Sequence, residues 1–364
     1  MTLHLYFARK FLTTFGGIVL GFTAFMWLVE LLEHIRRFDS GTVGFGFLAY
    51  MALLHLPEVL YQILSLVVLL AAIALFVGLA RTSELVIARA TGRSAIRSLA
   101  APVLAAALLG VGIVAIGNPL VAALSREYRT EENRLRGSER IVSVSREGLW
   151  LRQGSDARQT AIHAETANLD GTHLFGVSFL GFDRSDVPLF RIDAAEAELS
   201  DGAWVLRDAK RWDFTTASNP EATARRSPTL FVDTDLTRDQ IRDSFGTPSA
   251  IPIWDLPDFI DRLETAGFSA RSHRVWFQSE LAKPLGFVAM VLMGAVFTLR
   301  HTRLGNTGLM VLFAVLAGFA VHFTANLAQV MGDSGQIPVI AAIWTPPVAA
   351  ILIALGLLLH FEDG

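Results

Sequence analysis

Residues 63–80 read ILSLVVLLAAIALFVGLA, an apolar stretch that contains no charged side chain. The hydrocarbon core of a bilayer is roughly 30 Å thick, and an α-helix needs about 20 apolar residues to cross it. This stretch belongs to one of six apolar blocks, which lie near residues 11–33, 47–80, 99–124, 277–299, 307–330 and 339–360. The sequence therefore predicts a polytopic α-helical membrane protein with six transmembrane helices.

The overall composition agrees with a membrane protein and argues against several other classes. Of the 364 residues, 52% are hydrophobic and 18% are charged. The net charge of -3 gives no reason to expect a nucleic-acid partner. The absence of cysteine excludes disulfides and thiolate metal sites, and we predict no cofactor.

Basic residues in the short segments between the blocks predict the orientation of the chain. Lysines and arginines concentrate on the cytoplasmic side of membrane proteins. If six helices alternate, one side receives Arg9, Lys10, Arg81, Arg89, Arg93, Arg97, Arg300 and Arg303. The opposite short loop, residues 332–338, has no basic residue. We therefore expect both termini in the cytoplasm, with three transmembrane helices in residues 1–125 and three in residues 276–364.

Residues 126–250 have a different character, because charges of both signs are dense and short runs alternate between apolar and polar side chains. Such runs, separated by turn residues, are typical of β-strands. The predicted strands are Gly148–Arg152, Thr160–Ala167, Leu174–Phe182, Pro188–Leu199 and Ala203–Trp212. Strands at this spacing favour an antiparallel sandwich or jelly roll. Helix parity places this inserted all-β domain outside the cytoplasm, and an amphipathic helix within residues 251–275 connects it to the fourth transmembrane helix.

The segment between the second and third blocks carries the most informative local pattern. Ser83 is a suitable N-cap, and the carboxylate of Glu84 suits the positive end of a helix dipole. The candidate contact residues of this short helix, near residues 82–92, are Glu84, Leu85, Ala88, Arg89, Gly92 and Arg93. The helix either docks into a groove of a cytoplasmic partner or simply connects two spans, with arginines that reach the interface. Spacing alone leaves both interpretations open.

Motifs that would indicate an enzyme are missing from the sequence. There is no Walker A motif, so the chain does not bind ATP through a P-loop. There is no H-E-x-x-H motif, no G-x-S-x-G motif and no cysteine nucleophile. The histidines are scattered without metal-ligand spacing. We therefore predict a non-catalytic protein without a metal site.

Several short motifs, some inside the apolar blocks and some between them, match a known family in the same order along the chain. They are the Ser-Glu-Leu and Ala-x-Gly elements within residues 83–92, Gly148-Leu-Trp150, Ile251-Pro252, Lys283-Pro284-Leu285, Gly335-x-Ile337-Pro338 and Pro346-Pro347. Together they resemble the LptF/LptG family of lipopolysaccharide export permeases over nearly the whole chain. The Gly-Leu-Trp element favours the LptG branch, with the LptF branch as the alternative.

The resemblance implies a fold, partners and a transport function. Family members have six transmembrane helices and a periplasmic β-jellyroll domain in the Gram-negative inner membrane. They pair as an LptF–LptG heterodimer on a dimer of the ATPase LptB, with LptC attached and LptA continuing the periplasmic bridge. We thus expect a transmembrane subunit of an ABC transporter that extracts lipopolysaccharide from the surrounding membrane lipids. Glu84 and its neighbours to Arg93 would contact the separate ATPase.

Basic residues also lie at the predicted outer ends of two helices, although lysines and arginines usually concentrate on the cytoplasmic side. Arg36 and Arg37 follow the first span, and Arg126 and Arg129 lie at the end of the third. A guanidinium group binds phosphate bidentately, and the resemblance implies that basic residues here contact the glucosamine phosphates of the substrate. The alternative is that these arginines serve only the membrane interface and intrahelical ion pairs.

One departure from the family lies in the same region. A family lysine deeper in the first span aligns with Glu30 of this chain. Glu30 and Glu33 are spaced to pair with His34 and Arg37 at i,i+4, which would lower the local positive charge. A lipid A with fewer or differently placed phosphates would be consistent with that change, and Glu33 is included among the candidate substrate-site residues.

Polar and small residues inside the last three blocks predict helix packing. His322, Asn326 and Gln329 share one helical face, for which packing is favoured over function. Gly286, Met290 and Gly294 are spaced for a close helix–helix contact. Two other classes, a secondary transporter and a membrane anchor or sensor, are less favoured because the spans carry few charges and the candidate arginines would have no role.

Overall fold

The computed structural model describes residues 2–37, 44–82, 84, 95–136, 142–145, 148–155, 158–168, 171–183, 187–200, 202–215, 219–234, 236–237, 241, 247–265, 269–298 and 307–363. Its helices are α1 (Thr2–Arg37), α2 (Phe45–Arg81), α3 (Ala95–Gly112), α4 (Asn118–Arg136), α5 (Leu256–Thr265), α6 (Arg271–Thr298), α7 (Thr307–Asp333) and α8 (Val339–Asp363). A π-helical turn, Ile113–Gly117, joins α3 directly to α4.

Six helices within the described ranges are long and apolar enough to cross a membrane, which confirms that prediction. They are α1, α2, the joined α3 and α4, α6, α7 and α8. The apolar windows of α6 and α2 are 61% and 50% buried inside the chain, whereas those of α1 and α7 are each only 11% buried. The latter two helices therefore expose most of their apolar side chains.

Two of these helices extend beyond the apolar blocks from which they were predicted. α2 continues through Pro57, and its 37 residues measure about 55 Å at roughly 1.5 Å per residue. α4 runs to Arg136, well beyond the apolar block that ends near residue 124. Its last turns are rich in Arg, Glu and Leu, which are strong helix formers, so the helix persists where the apolar character stops.

The core of the helical unit contains side chains of α1, α2, α3, α6, α7 and α8. Leu69, Phe76 and Phe287 are almost completely buried in one apolar cluster. Gly294 allows close approach here, since an added Cβ would lie 3.0 Å from the Cβ of Ala72. The predicted close contact at Gly294 is confirmed.

The π-helical turn holds the segment that precedes α5. A π-turn changes the local hydrogen-bond pattern of a helix, and the Ala115 carbonyl accepts a bond from Trp254 Nε1 at 3.3 Å. The Asn118 side chain accepts a second bond from the backbone N–H of Ile253 at 2.8 Å. Residues Ser249–Trp254 accordingly belong to the helical unit.

The described strands form one seven-stranded antiparallel sheet in which neighbours in sequence pair with each other. They are β1 (Val142–Ser145), β2 (Gly148–Ser155), β3 (Arg158–Ala167), β4 (His173–Phe182), β5 (Pro188–Ser200), β6 (Ala203–Asp213) and β7 (Arg225–Asp233). The strands predicted from the sequence correspond to β2–β6. β1 and β7, the two edge strands, were not predicted.

Hydrogen bonds show that the sheet curls back on itself. In a flat sheet β2 and β6 would lie about 19 Å apart, at roughly 4.8 Å per strand. Nevertheless, Trp204 Nε1 on β6 donates to Gln153 Oε1 on β2 at 3.1 Å. The Thr234 hydroxyl, just after β7, donates to the same oxygen at 2.6 Å. This curvature encloses an apolar core and agrees with the jellyroll-like fold.

The chain divides into two compact units, one built on the transmembrane helices and one on the sheet. The second unit contains residues Glu132–Pro248 and Asp255–His273, so it includes α5. α5 is amphipathic as the sequence predicts: Leu263 is buried in the core of the sheet, and Phe259 and Ile260 pack against that core.

Candidate functional site

The last turns of α1 meet the first half of α2 and the middle of α4 in a polar cluster within the helical unit. His34 Nε2 on α1 lies 3.2 Å from the Tyr128 hydroxyl on α4. His55 on α2 stacks on the Tyr128 ring, with the ring centroids 4.6 Å apart. These contacts place the region of Arg36 and Arg37 at the same end of the bundle as that of Arg126 and Arg129.

Glu30 connects α1 to α2 inside this cluster. Its Oε2 is 2.8 Å from His55 Nδ1, and the Glu30 side chain is only 16% exposed. His34 Nδ1 instead bonds to the backbone carbonyl of Glu30 at 2.7 Å and lies 3.8 Å from Oε2. The carboxylate therefore serves a contact between helices in addition to the i,i+4 pairing expected from the sequence.

Glu58 connects α2 to Arg129 in the same way. Arg129 Nη2 donates to Glu58 Oε1 at 3.3 Å, and the hydroxyl of Ser249 donates to the same oxygen at 3.1 Å. The Arg129 Nε and the Glu58 Oε2 are both buried without a hydrogen-bond partner among the described residues. Part of the Arg129 fork is thus committed to a protein carboxylate, and part of it is unsatisfied.

The remaining candidate substrate residues are more exposed. Arg36 pairs with Glu33 at i,i+3, with Nη2 2.8 Å from Oε2, yet its side chain is 79% exposed. Arg37 and Arg126 also have exposed side chains. An exposed guanidinium can exchange a surface ion pair for a phosphate at little cost, because such pairs contribute only about 0–1 kcal/mol.

The chemistry of the cluster is that of anion binding with partial charge compensation. Arg36, Arg37, Arg126 and Arg129 supply planar donor forks that suit phosphate or carboxylate oxygens. Glu30, Glu33 and Glu58 offset much of their charge. A multiply charged anion would therefore be bound by hydrogen bonds from individual guanidinium groups. The acidic side chains would weaken the positive electrostatic potential around it.

A separate ion pair lies at the opposite end of α1. Lys10 Nζ is 2.9 Å from Glu84 Oε1, and the Thr82 hydroxyl donates to the same oxygen at 2.9 Å. Both partners are 28% exposed. The bond from Lys10 is the main reason that the pKa of Glu84 is lowered from its usual range. Glu84 is thus held as a carboxylate against α1.

The other predicted residues of this segment, Ser83, Leu85, Ala88, Arg89, Gly92 and Arg93, lie outside the described residues. Among the candidates of the 82–92 helix, only Glu84 is therefore located by the structure. Its contact with Lys10 was not predicted from the sequence, because the two residues lie in different segments and Lys10 served only as an orientation signal.

His55, Tyr128 and Glu58 are site residues that the sequence analysis missed. The available signal was weak: His55 and Glu58 stand at i,i+3 on either side of Pro57 within an otherwise apolar block. A histidine and a carboxylate on one helical face inside a membrane span are functional candidates. Their partners, however, come from α1 and α4, which the pattern within α2 does not indicate.

The chain is similar to known proteins over almost its whole length. The family model described as lipopolysaccharide export system permease LptF/LptG matches residues 5–360. The lipopolysaccharide export system permease protein LptG of Escherichia coli strain K12 is 23% identical over 365 residues, covering 98% of this chain and 97% of that protein. The LptG protein of Haemophilus influenzae strain ATCC 51907 is 21% identical over 356 residues, covering 96% and 95% of the two chains.

Proposed function

We propose that this chain, which belongs to the LptF/LptG family of lipopolysaccharide export permeases, is the LptG-type transmembrane subunit of an ABC transporter that extracts lipopolysaccharide from the inner membrane. The observation that carries the proposal is the family match over residues 5–360, together with six apolar helices and an inserted all-β domain. The LptG assignment is supported by the two LptG relatives and by the Gly148-Leu-Trp150 element.

In this proposal the substrate phosphates bind at the arginines around the α1–α4 contact. Arg36, Arg37 and Arg126 are exposed and would meet phosphate oxygens first. Arg129 would contribute its unsatisfied Nε while Glu58 holds its Nη2. Glu33 would limit the strength of binding by competing for Arg36, which allows the substrate to be released.

The energy for transport would come from a separate LptB-like ATPase dimer, and this chain would be non-catalytic. Its sequence has no P-loop, so a nucleotide must act from another subunit. The segment from Glu84 to Arg93 is the proposed ATPase contact. The Lys10–Glu84 pair would pass a movement of this segment to α1.

A second permease subunit of the LptF type would complete the membrane part, with LptC- and LptA-like proteins receiving the lipopolysaccharide. The low burial of α1 and α7 supports such a partner, because both helices expose apolar side chains such as Leu20, Phe25 and Phe323 to lipid or to another chain. The distribution of basic residues supports cytoplasmic termini and a periplasmic β domain.

Site-directed photo-crosslinking tests the substrate site. A photoreactive residue in place of Leu32, which is 59% exposed on α1, should crosslink to lipopolysaccharide in whole cells. Reversal of Arg36 and Arg37 to glutamate should lower the crosslink about thirtyfold, since each of the two charge-assisted contacts contributes about 1 kcal/mol when partly exposed and about 1.4 kcal/mol corresponds to tenfold. Reversal of Arg225, an exposed arginine of β7, is the matched control. An unchanged crosslink in the double reversal would remove the binding role of these arginines.

Purification of the tagged chain in mild detergent tests the assembly. Mass spectrometry should identify a P-loop ATPase, a second six-helix protein and lipopolysaccharide in the same preparation. Recovery of the chain alone under several gentle conditions would instead favour a secondary transporter or a membrane anchor.

A further inference from the structure

A cavity of about 500 Å³ lies inside the helical unit, between α2, α6, α7 and α8. Its size falls within the roughly 300–1,000 Å³ typical of small-molecule sites. The residues that line it lie within residues 61–65 of α2, 276–290 of α6, 321–329 of α7 and 342–347 of α8. None of the arginines of the α1–α4 cluster lines the cavity, so it is distinct from the proposed phosphate site.

One wall of the cavity carries a buried ion pair. Lys283 Nζ lies 2.8 Å from Glu280 Oε1, with the side chains 15% and 1% exposed. The ammonium group also lies 3.4 Å from the centroid of the Tyr61 ring, and the Tyr61 hydroxyl donates to the second oxygen of Glu280. The charges are therefore compensated within the wall. A buried pair of this kind is weak evidence for a stabilising role and, in a membrane span, suggests a functional one.

The same wall contains an unused hydrogen-bond donor. Trp276 lines the cavity, and its Nε1 is buried without a partner in the part of the chain that the structure describes. By contrast, the indoles of Trp344 and Trp254 donate to Gln278 and to a backbone carbonyl. An unsatisfied buried donor is costly and calls for an additional acceptor.

Gly286 keeps the cavity open. The sequence predicts a close helix contact here, but that prediction is wrong, because a Cβ added to Gly286 would meet no atom within 4 Å. Gly294, two turns further along α6, does make such a contact. The missing side chain of Gly286 therefore contributes volume to the cavity and does not serve helix packing.

The rest of the lining sets the chemistry of an occupant. Met290, Val321, Ile343 and Pro347 provide apolar surface. His322 and Asn326, spaced at i,i+4 on α7, lie 3.1 Å apart through Nε2 and Nδ2, and both line the cavity. The lining also includes the polar side chains of Gln62, Ser65, Ser279 and Gln329. A ligand with an apolar chain and a neutral acceptor group fits this mixed lining, because Lys283 is already paired with Glu280.

We propose that the cavity binds one acyl chain of a membrane amphiphile, with the ester or amide carbonyl of that chain accepting the hydrogen bond of Trp276 Nε1. The cavity opens within the transmembrane unit, where acyl chains are the abundant ligands. An ester-linked chain of a glycerophospholipid and an ester- or amide-linked chain of a glycolipid share this chemistry. The site does not depend on the proposed export function, since either source satisfies it.

Native mass spectrometry of the full chain, released from nanodiscs of phosphatidylethanolamine and phosphatidylglycerol with added lipopolysaccharide, tests the proposal. The wild-type chain should retain one lipid after detergent stripping, and the retained mass identifies its source. Gly286→Leu should abolish retention because the new side chain enters open space inside the cavity. Gly356→Leu is the matched control: Gly356 also has no atom within 4 Å of an added Cβ, but it does not line the cavity.

Trp276→Phe provides a second, milder test that keeps an aromatic ring and removes only the donor. It should weaken retention about fivefold, the size expected for one hydrogen bond. If Gly286→Leu does not fold, this variant alone decides the matter. Equal lipid retention by the wild type and Trp276→Phe would overturn the site. So would a loss of lipid in Gly356→Leu as large as the loss in Gly286→Leu, or a wild-type chain that retains no lipid. A variant that loses lipopolysaccharide export but retains lipid normally would bear on the proposed export function and would leave the lipid site standing.

Discussion

The ion pair between Lys10 and Glu84 leads to a quantitative prediction about energy coupling. Its atoms lie 2.9 Å apart, and both side chains are 28% exposed. Partly exposed pairs contribute about 0.2–1 kcal/mol. Reversing one partner replaces this attraction with a repulsion of similar size, so each single reversal should cost about 1–2 kcal/mol at this contact.

The variants are Lys10→Glu, Glu84→Lys and the double reversal, each in the complete transporter reconstituted in liposomes. Since about 1.4 kcal/mol corresponds to tenfold, each single reversal should lower lipopolysaccharide-stimulated ATP hydrolysis roughly fivefold to thirtyfold. The double reversal restores the pair with opposite polarity, so its loss of activity should be smaller than the product of the two single losses. A double-mutant cycle is needed because Glu84 is also a proposed ATPase contact, and loss of that contact would not be repaired at Lys10.

The result that refutes this reasoning is a double reversal whose loss of activity equals the product of the two single losses. The coupling energy would then be below about 0.3 kcal/mol, and the ion pair would have no part in transmission. The pH dependence gives an independent check. Because Lys10 lowers the pKa of Glu84 from 4.5, the contribution of the pair is complete above that value and is lost as the pH falls through the lowered pKa. Coupling should therefore not change near neutral pH through this pair.

Three further substitutions, together with a control at Gly112, test packing within each of the two units. His55→Ala removes a donor from the mostly buried Glu30 carboxylate, so the free energy of unfolding in detergent should fall by about 1–3 kcal/mol, and an unchanged thermal transition would contradict the contact. Gly110→Ala places a methyl group 2.6 Å from a backbone atom of α6 and should destabilise by about 1–3 kcal/mol. Gly112→Ala, which meets no atom within 4 Å, should be neutral or stabilise by up to about 1 kcal/mol. Gln153→Leu leaves a buried indole N–H unpaired, so limited proteolysis of the β domain should be about fivefold faster, and equal rates would argue against closure of the sheet by this bond.

The architecture was largely predictable because hydrophobic periodicity reports it directly. The six apolar blocks and strands β2–β6 all appear near their predicted positions. β7 was missed because it contains adjacent arginines and Pro228, which weaken a strand pattern; the proline is tolerated because β7 is an edge strand. β1 has only four residues, too few for a clear alternation.

The candidate sites were less predictable, for a physical reason. The sequence indicates that Arg36 and Arg129 share a membrane depth, since helix parity determines depth. It does not indicate that Arg129 bonds to Glu58, or that Glu30 reaches His55, because such contacts depend on how the helices are rotated about their axes. The assignment of Gly286 failed for the same reason: small residues at helical spacing indicate either close packing or an open cavity.

The contacts at the two ends of α1 together explain how a movement at one end would reach the other. Near its start, Lys10 bonds to Glu84; near its end, Glu30 and His34 bond to α2 and α4. Lys10 and Arg37 are about 40 Å apart along a continuous helix at roughly 1.5 Å per residue. Although only 11% of the apolar window of α1 is buried within the chain, α1 packs along α2 and α3, so a displacement of α1 would be shared with those helices. A shift imposed at Glu84 would therefore be carried by α1 to the arginines that are proposed to hold the substrate, and the polar cluster at its end is where that shift would alter their positions.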